Sequence, residues 1–285
     1  MDAWSVPPEG DETALGHALA GFLRDHQRVA VLTGAGVSTA SGIPDYRDAD
    51  GQWKHSRPVM FEDFRREARV RRRYWARSLV GWEYFRRARP NPAHAALASL
   101  EDAGRVRGLV TQNVDRLHQQ AGHRVVLDLH GRLDRVVCLD CGDVSEREDM
   151  QVRLQTLNPQ FTGTVAVTRP DGDADVDLAV SGERFQVPAC QHCGGPLKPA
   201  VVFFGESVPR AWVRQALDDV DAADALLVVG SSLMVFSGFR FVRHAAQHGK
   251  PVAILGLGRT RADELATLRL PGDCSSVLNA ALAAL

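Results

Sequence analysis

Four cysteines carry the most specific chemistry in this sequence. Cys138-Leu139-Asp140-Cys141 and Cys190-Gln191-His192-Cys193 are two C-x-x-C pairs with 48 residues between them. Each pair can turn two thiolates toward one point, and two such turns close a tetrahedral four-sulfur zinc site. Gly142 follows the first pair and Gly194-Gly195 the second, as knuckle turns often require. Four thiolates leave no open position on the metal, so the zinc is expected to hold structure together rather than to catalyse. The competing reading, two thioredoxin-like redox pairs, fits less well, because neither pair opens a helix after a strand in the expected way. The fifth cysteine, Cys274, is left over and reads as a small half-buried residue.

A second patch of chemistry lies at residues 31–47, VLTGAGVSTASGIPDYR. The apolar run Val29-Ala30-Val31-Leu32 leads into it as a buried parallel strand. Gly34 and Gly36 let the backbone turn tightly and approach a ligand with no Cβ in the way. The small residues that follow suit a helix N-terminus, whose free N–H groups and dipole favour a phosphate. Thr39 stands where the third glycine of G-x-G-x-x-G belongs, and Lys54 where an acidic residue is expected. The reading is a phosphate cradle of an unusual kind; a Gly-rich strand-to-helix turn that binds nothing is the plain alternative.

These residues must be positioned by alternating strands and helices. Helices are expected at residues 13–26, across 61–89, from Asn91-Pro92 to Gly104, and at 113–120, 209–220, 239–248, 261–268 and 276–285. Strands are expected at 29–32, 106–111, 125–129, 201–204, 225–230 and 251–255. That alternation predicts an α/β fold, a Rossmann-like doubly wound parallel sheet. A zinc-ribbon module is read as inserted at 133–199, leaving 1–132 and 200–285 as the large nucleotide-binding domain. A helical insertion spans about 48–90, with its aromatic face read as packing over the cradle. Ligands gather at the carboxyl ends of such strands, where Gln112-Asn113-Val114-Asp115, His130-Gly131 and Gly230-Ser231-Ser232 fall. Asn and Asp there can also serve as helix caps, and His130 as a structural histidine. A histidine titrating near neutral pH can take a proton from a ribose hydroxyl.

The chain has 285 residues, a net charge of −1, 45% hydrophobic and 24% charged residues, and only three lysines. Nothing here pulls it globally toward nucleic acid or an anionic membrane. Its first twelve residues carry acids and no bases, which argues against a presequence. The longest apolar stretch, 225–236, is too short to span a bilayer. A cytoplasmic monomer is the expectation.

The motifs GAGVSTASGIPDYR, TQNVDRLH, LHG at 129–131, both C-x-x-C pairs, KPAVVFFGE at 198–206 and VVGSSL at 228–233 occur in this order over nearly the whole chain. Together they resemble the sirtuins, the NAD-dependent protein lysine deacylases. RYWARSLVGW, LNPQF and GRTRADELA are most similar to the class II, mitochondrial branch of that family. The resemblance implies that Gly34, Ala35, Gly36 and Ser38 hold the NAD diphosphate, with Asp45 and Arg47 on a flexible cofactor loop. Ile43, Asn113, Val114 and Asp115 would line the nicotinamide pocket, Asn113 as part of the catalytic machinery. Gln112 and His130 would contact the ribose, with His130 the general base. Gly230, Ser231, Ser232, Gly256, Leu257, Gly258 and the backbone near Cys274 would frame the adenosine. Val202, Phe204 and Gly205 would flank the acyl-lysine of a protein or peptide partner. That peptide would lie as an added strand between Gly205-Glu206 and residues 234–238, Val235 and Phe236 among them.

The implied reaction has the acyl oxygen attack C1′ of the ribose as nicotinamide leaves. The products are free lysine, nicotinamide and O-acyl-ADP-ribose. Tyr74 and Arg77, one helical turn apart, resemble the pair that holds acidic acyl groups in desuccinylase-type sirtuins. Two departures stand out: Ala200, where many relatives have a polar residue, and Gly256, where the family usually has an asparagine bonded to the ribose. A mono-ADP-ribosyltransferase, or a non-catalytic sensor of NAD or ADP-ribose, are the rival functions.

Overall fold

Strand β1 (Val29–Thr33) has five consecutive buried residues, the signature of a strand covered on both faces. The computed structural model describes residues 11–46, 58–161, 167–168, 174–175 and 184–285. Helix α1 (Glu12–Asp25) precedes β1, and Asp11 caps it by accepting the Ala14 N–H. Helices α2 (Phe61–Arg66) and α3 (Ala68–Phe85) follow, then α4 (Pro92–Asp102), which opens on an Asn91–His94 capping box. Next come β2 (Val106–Thr111), α5 (Leu117–Gln120) and β3 (Val126–Asp128). Strands β4 (Gly131–Cys138) and β5 (Val144–Glu146), helix α6 (Arg147–Leu157), a short pair β6 (Val167–Thr168) and β7 (Ala174–Asp175), and β8 (Leu197–Val201) make the middle of the chain. The C-terminal third is α7 (Arg210–Ala222), β9 (Ala225–Val229), α8 (Phe236–Gln247), β10 (Val252–Leu255), β11 (Leu268–Leu270) and α9 (Cys274–Ala283).

Six strands form one sheet in the order β11-β10-β9-β1-β2-β3, every neighbouring pair parallel. This is the Rossmann order, and the strand order reverses between β1 and β9. One face packs on α1, α4 and α9, through Leu15, Leu19, Leu97 and Val277; the other packs on α7 and α8, through Val220, Phe241 and Val242. A second sheet, β5-β4-β8, is antiparallel and shares a separate core with α3 and α6. In that core the buried Arg147 donates to the Ser78 carbonyl and lies over the Trp75 and Trp82 rings. Burial lowers its pKa to about 10, so it stays charged.

Several expectations are corrected. No α-helix follows the cradle directly: Ala35–Val37 and Thr39–Ser41 are single 3-10 turns, too short for a helix dipole. The apolar segment at 201–204 is not a strand of the parallel sheet; Val201 ends β8, which pairs with β4. Residues 261–268 do not form a helix. Asp263, held by Thr260 and Arg269, allows only a 3-10 turn before β11 becomes the sixth strand. The helix expected at 113–120 begins only at Leu117, whose N–H is taken by Asp115 Oδ1. The aromatic face of α3 packs on α6 and the small sheet, and only its Tyr74 end reaches the cradle's side, beside Ile43.

Candidate active site

The loop after β1 and the loop after β9 interlock at the point where the strand order reverses. Gly36 N–H donates to the Gly230 carbonyl at 2.8 Å, and Gly34 N–H to that of Val229 at 3.1 Å. A Cβ on Gly36 would lie 2.9 Å from Gly230 Cα; one on Gly230, at φ +63°, would lie 2.3 Å from Val37 N. The glycines therefore close the two loops against each other, and these two N–H groups are already used within the protein. A cavity of about 650 Å³ opens above them, within the range of cofactor sites.

Buried hydroxyls tie the strand ends together. Ser38 Oγ donates to Asp115 Oδ2 at 2.7 Å and accepts from Asn113 Nδ2 at 3.0 Å; the same Nδ2 donates to the Gly34 carbonyl. Thr33 Oγ1 donates to Thr111 Oγ1, which accepts the Asn113 N–H, while His118 Nε2 contacts Thr33 Oγ1 at 2.9 Å. Asp115 is fixed from both carboxylate oxygens, and burial raises its pKa. Gln112 reaches across to donate to Ser231 Oγ at 2.7 Å.

His130 sits between β3 and β4, where the large sheet ends and the small one begins. Its Nδ1 lies 2.9 Å from the Gln112 carbonyl oxygen. A carbonyl only accepts, so Nδ1 carries the proton and Nε2 presents a lone pair. Ser237 Oγ, 2.7 Å from Nε2, donates to it. Burial lowers the pKa of His130 to about 4, against the Gln112 hydrogen bond that favours the charged ring. The imidazole is neutral at pH 7, and His130 and the Ser237 that caps its basic nitrogen both line the cavity.

The cavity is lined by Gly34, Ala35, Gly36, Ser38, Ile43, Asp45, Gln112, Asn113, Val114, Asp115 and His130 from the first half of the chain. From the second half it takes Val202, Phe204, Gly205, Glu206, Gly230, Ser231, Ser232, Val235, Phe236, Gly256, Leu257 and Cys274. Gly258 stands outside that lining and accepts from Arg269 at its carbonyl. Arg47 lies outside the described residues. Tyr74 opens onto the cavity, but Arg77 lines a smaller neighbour of about 340 Å³ with Arg69, Arg73 and Asp63; Pro58 and Val59 are common to both. The loop after β8 is braced from beneath. Lys198 Nζ donates to Glu206 Oε2 at 2.8 Å, and that oxygen also accepts the Phe203 N–H. Ser237 joins the site although no sequence motif singles it out. The structure starts α8 at Phe236, not Phe239, which brings Ser237 to His130; a Ser-Gly pair just ahead of an apolar-periodic helix is the signal that marks such a start.

The four cysteines converge. Cys138 Sγ is 3.5 Å from Cys193 Sγ, and Cys141 Sγ 3.8 Å from Cys190 Sγ. A zinc tetrahedron with bonds of about 2.3 Å has edges of about 3.8 Å, so the donor set fits zinc as it stands. Gly142 N–H donates to the Cys138 carbonyl and Gly194 N–H to that of Cys190, closing the two knuckles. Backbone N–H groups of Cys141 and Asp140 draw the Cys138 thiol down to about 7. Cys274 is buried at the start of α9, and burial pushes its thiol up to about 12, the state of an inert core residue.

Comparison with known proteins agrees with this arrangement. The Sir2 family profile matches residues 34–237. An NAD-dependent protein deacetylase of Xanthomonas axonopodis pv. citri is 57% identical over 92% of this chain and 89% of its own length. NAD-dependent protein deacetylase 2 of Bradyrhizobium diazoefficiens is also 57% identical, over 92% of this chain and 95% of its own. A Sir2 solved with a p53 peptide and NAD+ superposes with a TM-score of 0.74 at 30% identity, covering 92% of this chain and 94% of that one. A Sir2 bound to a myristoylated histone peptide gives 0.67 at 27% identity, covering 95% and 96%. The matched span runs from the interlocked glycines through His130 and both cysteine pairs, and on that footing the chain belongs to the Sir2 family.

Proposed function

We propose that this protein removes acyl groups from protein lysines, using NAD as co-substrate and releasing nicotinamide. The observation that carries the reading is the locked tautomer of His130, a neutral base opening onto the same cavity as the interlocked glycines. NAD, when bound, supplies a ribose carbon that takes the acyl oxygen as nicotinamide departs. Ser38, Asn113 and Asp115 form one hydrogen-bonded unit suited to holding a carboxamide at the inner end. His130 takes a proton at Nε2 from a ribose hydroxyl that replaces the Ser237 hydroxyl. Val202, Phe204 and Val235 wall the acyl side and exclude water. The loop at 202–206, braced by Lys198, and the start of α8 flank a trough in which an extended peptide can add its main-chain hydrogen bonds. No helix among the described residues is long and apolar enough to cross a membrane. We place its action in the cytoplasm, as a monomer, on acyl-lysine proteins and not on nucleic acid; the net charge of −1 supports the last point.

Longer or acidic acyl groups are the preferred cargo in this reading. The class II resemblance supports it, as does the cluster Arg69, Arg73 and Arg77 behind the shared wall at Pro58 and Val59. The test is nicotinamide release with acetyl-, succinyl-, glutaryl-, methylglutaryl- and lipoyl-lysine peptides. Release that depends on an acyl peptide, fastest with a long or acidic group, is expected. Fastest turnover on acetyl-lysine overturns the preference; no peptide-dependent release from a protein that binds NAD overturns the deacylase reading.

A further inference from the structure

A second cluster of metal-ligating side chains lies far along the chain from the cysteines, where α7 and α8 end together. We propose that Asp221, His244 and His248 form a surface site for one first-row divalent ion of the Ni²⁺ or Zn²⁺ class. One ligand atom from each of the three residues lies within 4.8 Å of the others. His244 and His248 are i and i+4 at the end of α8, the spacing that aims two imidazoles at one point. Asp221 comes from the last turn of α7, and its Oδ1 is 2.7 Å from His244 Nε2. Imidazole, imidazole and carboxylate suit such ions, with water completing the shell.

Two further features favour a cation there. His248 Nδ1 lies 2.8 Å from the His244 carbonyl oxygen. That oxygen only accepts, so Nδ1 is the protonated nitrogen and Nε2 keeps its lone pair outward. A backbone carbonyl holding the second ring nitrogen is how metal-binding histidines are commonly oriented. The site also gathers the C-terminal ends of two helices, both of which carry partial negative charge. Lys250 already answers to that field, donating to the carbonyls of Asp221 and Ala223. Its charge opposes a second cation and limits the affinity. Asp221 and His248 are exposed and His244 partly so, which leaves the site open to ions.

The test titrates the full, untagged chain, zinc-loaded at the cysteines, with NiCl₂ in a calorimeter. One Ni²⁺ per chain is expected to bind. His244→Gln and His248→Gln should each weaken it by about tenfold or more, Asp221→Asn should also weaken it, and the double histidine variant should abolish it. His17→Gln, at an exposed histidine on α1, should change nothing. Absence of Ni²⁺ binding by the natural sequence, or unchanged binding by the double variant, overturns the proposal.

Discussion

The two halves of this molecule are held together by different physics. The parallel sheet needs no metal: β1, β9 and β10 are fully buried, and the helices on both faces cover them with aliphatic side chains. The small antiparallel sheet has only three strands, and β5 is exposed at two of its three positions. It has an apolar core of its own with α3 and α6, and adds to that core four thiolates at one end and the Trp75–Arg147–Trp82 stack. The functional groups sit where these regimes meet. The chain passes from one to the other at His130-Gly131 and returns after Val201, so the proposed base and the loop proposed to flank the acyl group are both at the junction. The proposed nucleotide cradle, by contrast, is built mainly on the large sheet, with Ile43 packed in the smaller core. Binding of the nucleotide and turnover should therefore be separable.

Zinc removal gives the largest separation. Chelation, or Cys193→Ser, is expected to abolish turnover, because β4 and β8 lose the knuckles that anchor their ends. Nucleotide binding should survive within about tenfold, since Gly34 and Gly36 are held by Val229 and Gly230 of the large sheet and loss of structural zinc unfolds only the unit that holds the metal; binding measured by calorimetry alongside turnover decides this. The next effect attacks the other region. Gly230→Ala forces a Cβ to 2.3 Å from Val37 N at a φ of +63° and should cost about 2–4 kcal/mol of stability. A urea melt would show it, and unchanged stability would mean that the loops are not interlocked as described.

Acid sharpens the comparison further. Burial holds His94 and His130 at about 4, below the usual 6.5, and also lowers His118 and His123. The unfolded chain takes up these protons first. The contribution is thus fully present above about pH 6.5 and is lost as pH falls toward 4, at about 3 kcal/mol each for His94 and His130. Urea midpoints that stay level from pH 6.5 to 4.5 would contradict this. The smallest expected effect is at Ser237. Ser237→Ala removes one hydrogen bond to His130, worth about 1 kcal/mol. It should alter kcat/KM less than tenfold and leave the zinc content untouched.

Much of this was legible beforehand. The cysteine spacing defines the metal site, and the alternating apolar runs give five of the six parallel strands, because buried parallel strands need no partner-dependent pattern. The misses have particular causes. β11, only Leu268–Leu270, is too short to show a period, so its approach read as helix. The run at 201–204 is apolar because Val201 and Phe203 enter the small sheet's core while Val202 and Phe204 line the cavity, not because it is a parallel strand. The glycines of the cradle stand out in the sequence as points of close backbone approach; that they also pack against Gly230, some two hundred residues away, is a contact no local pattern reveals. Tyr74 and Arg77 share a helix face by spacing, yet Pro58 and Val59 come between their cavities from another part of the chain.

The most direct test of the account compares the natural sequence with His130→Ala, measuring acyl-peptide-dependent turnover of NAD and, in parallel, NAD binding. Turnover is expected to fall by about 10²–10⁴ with binding little changed, if His130 is the base proposed at the junction and not part of the cradle. Turnover that persists in the variant, or NAD binding lost together with it, would contradict the account.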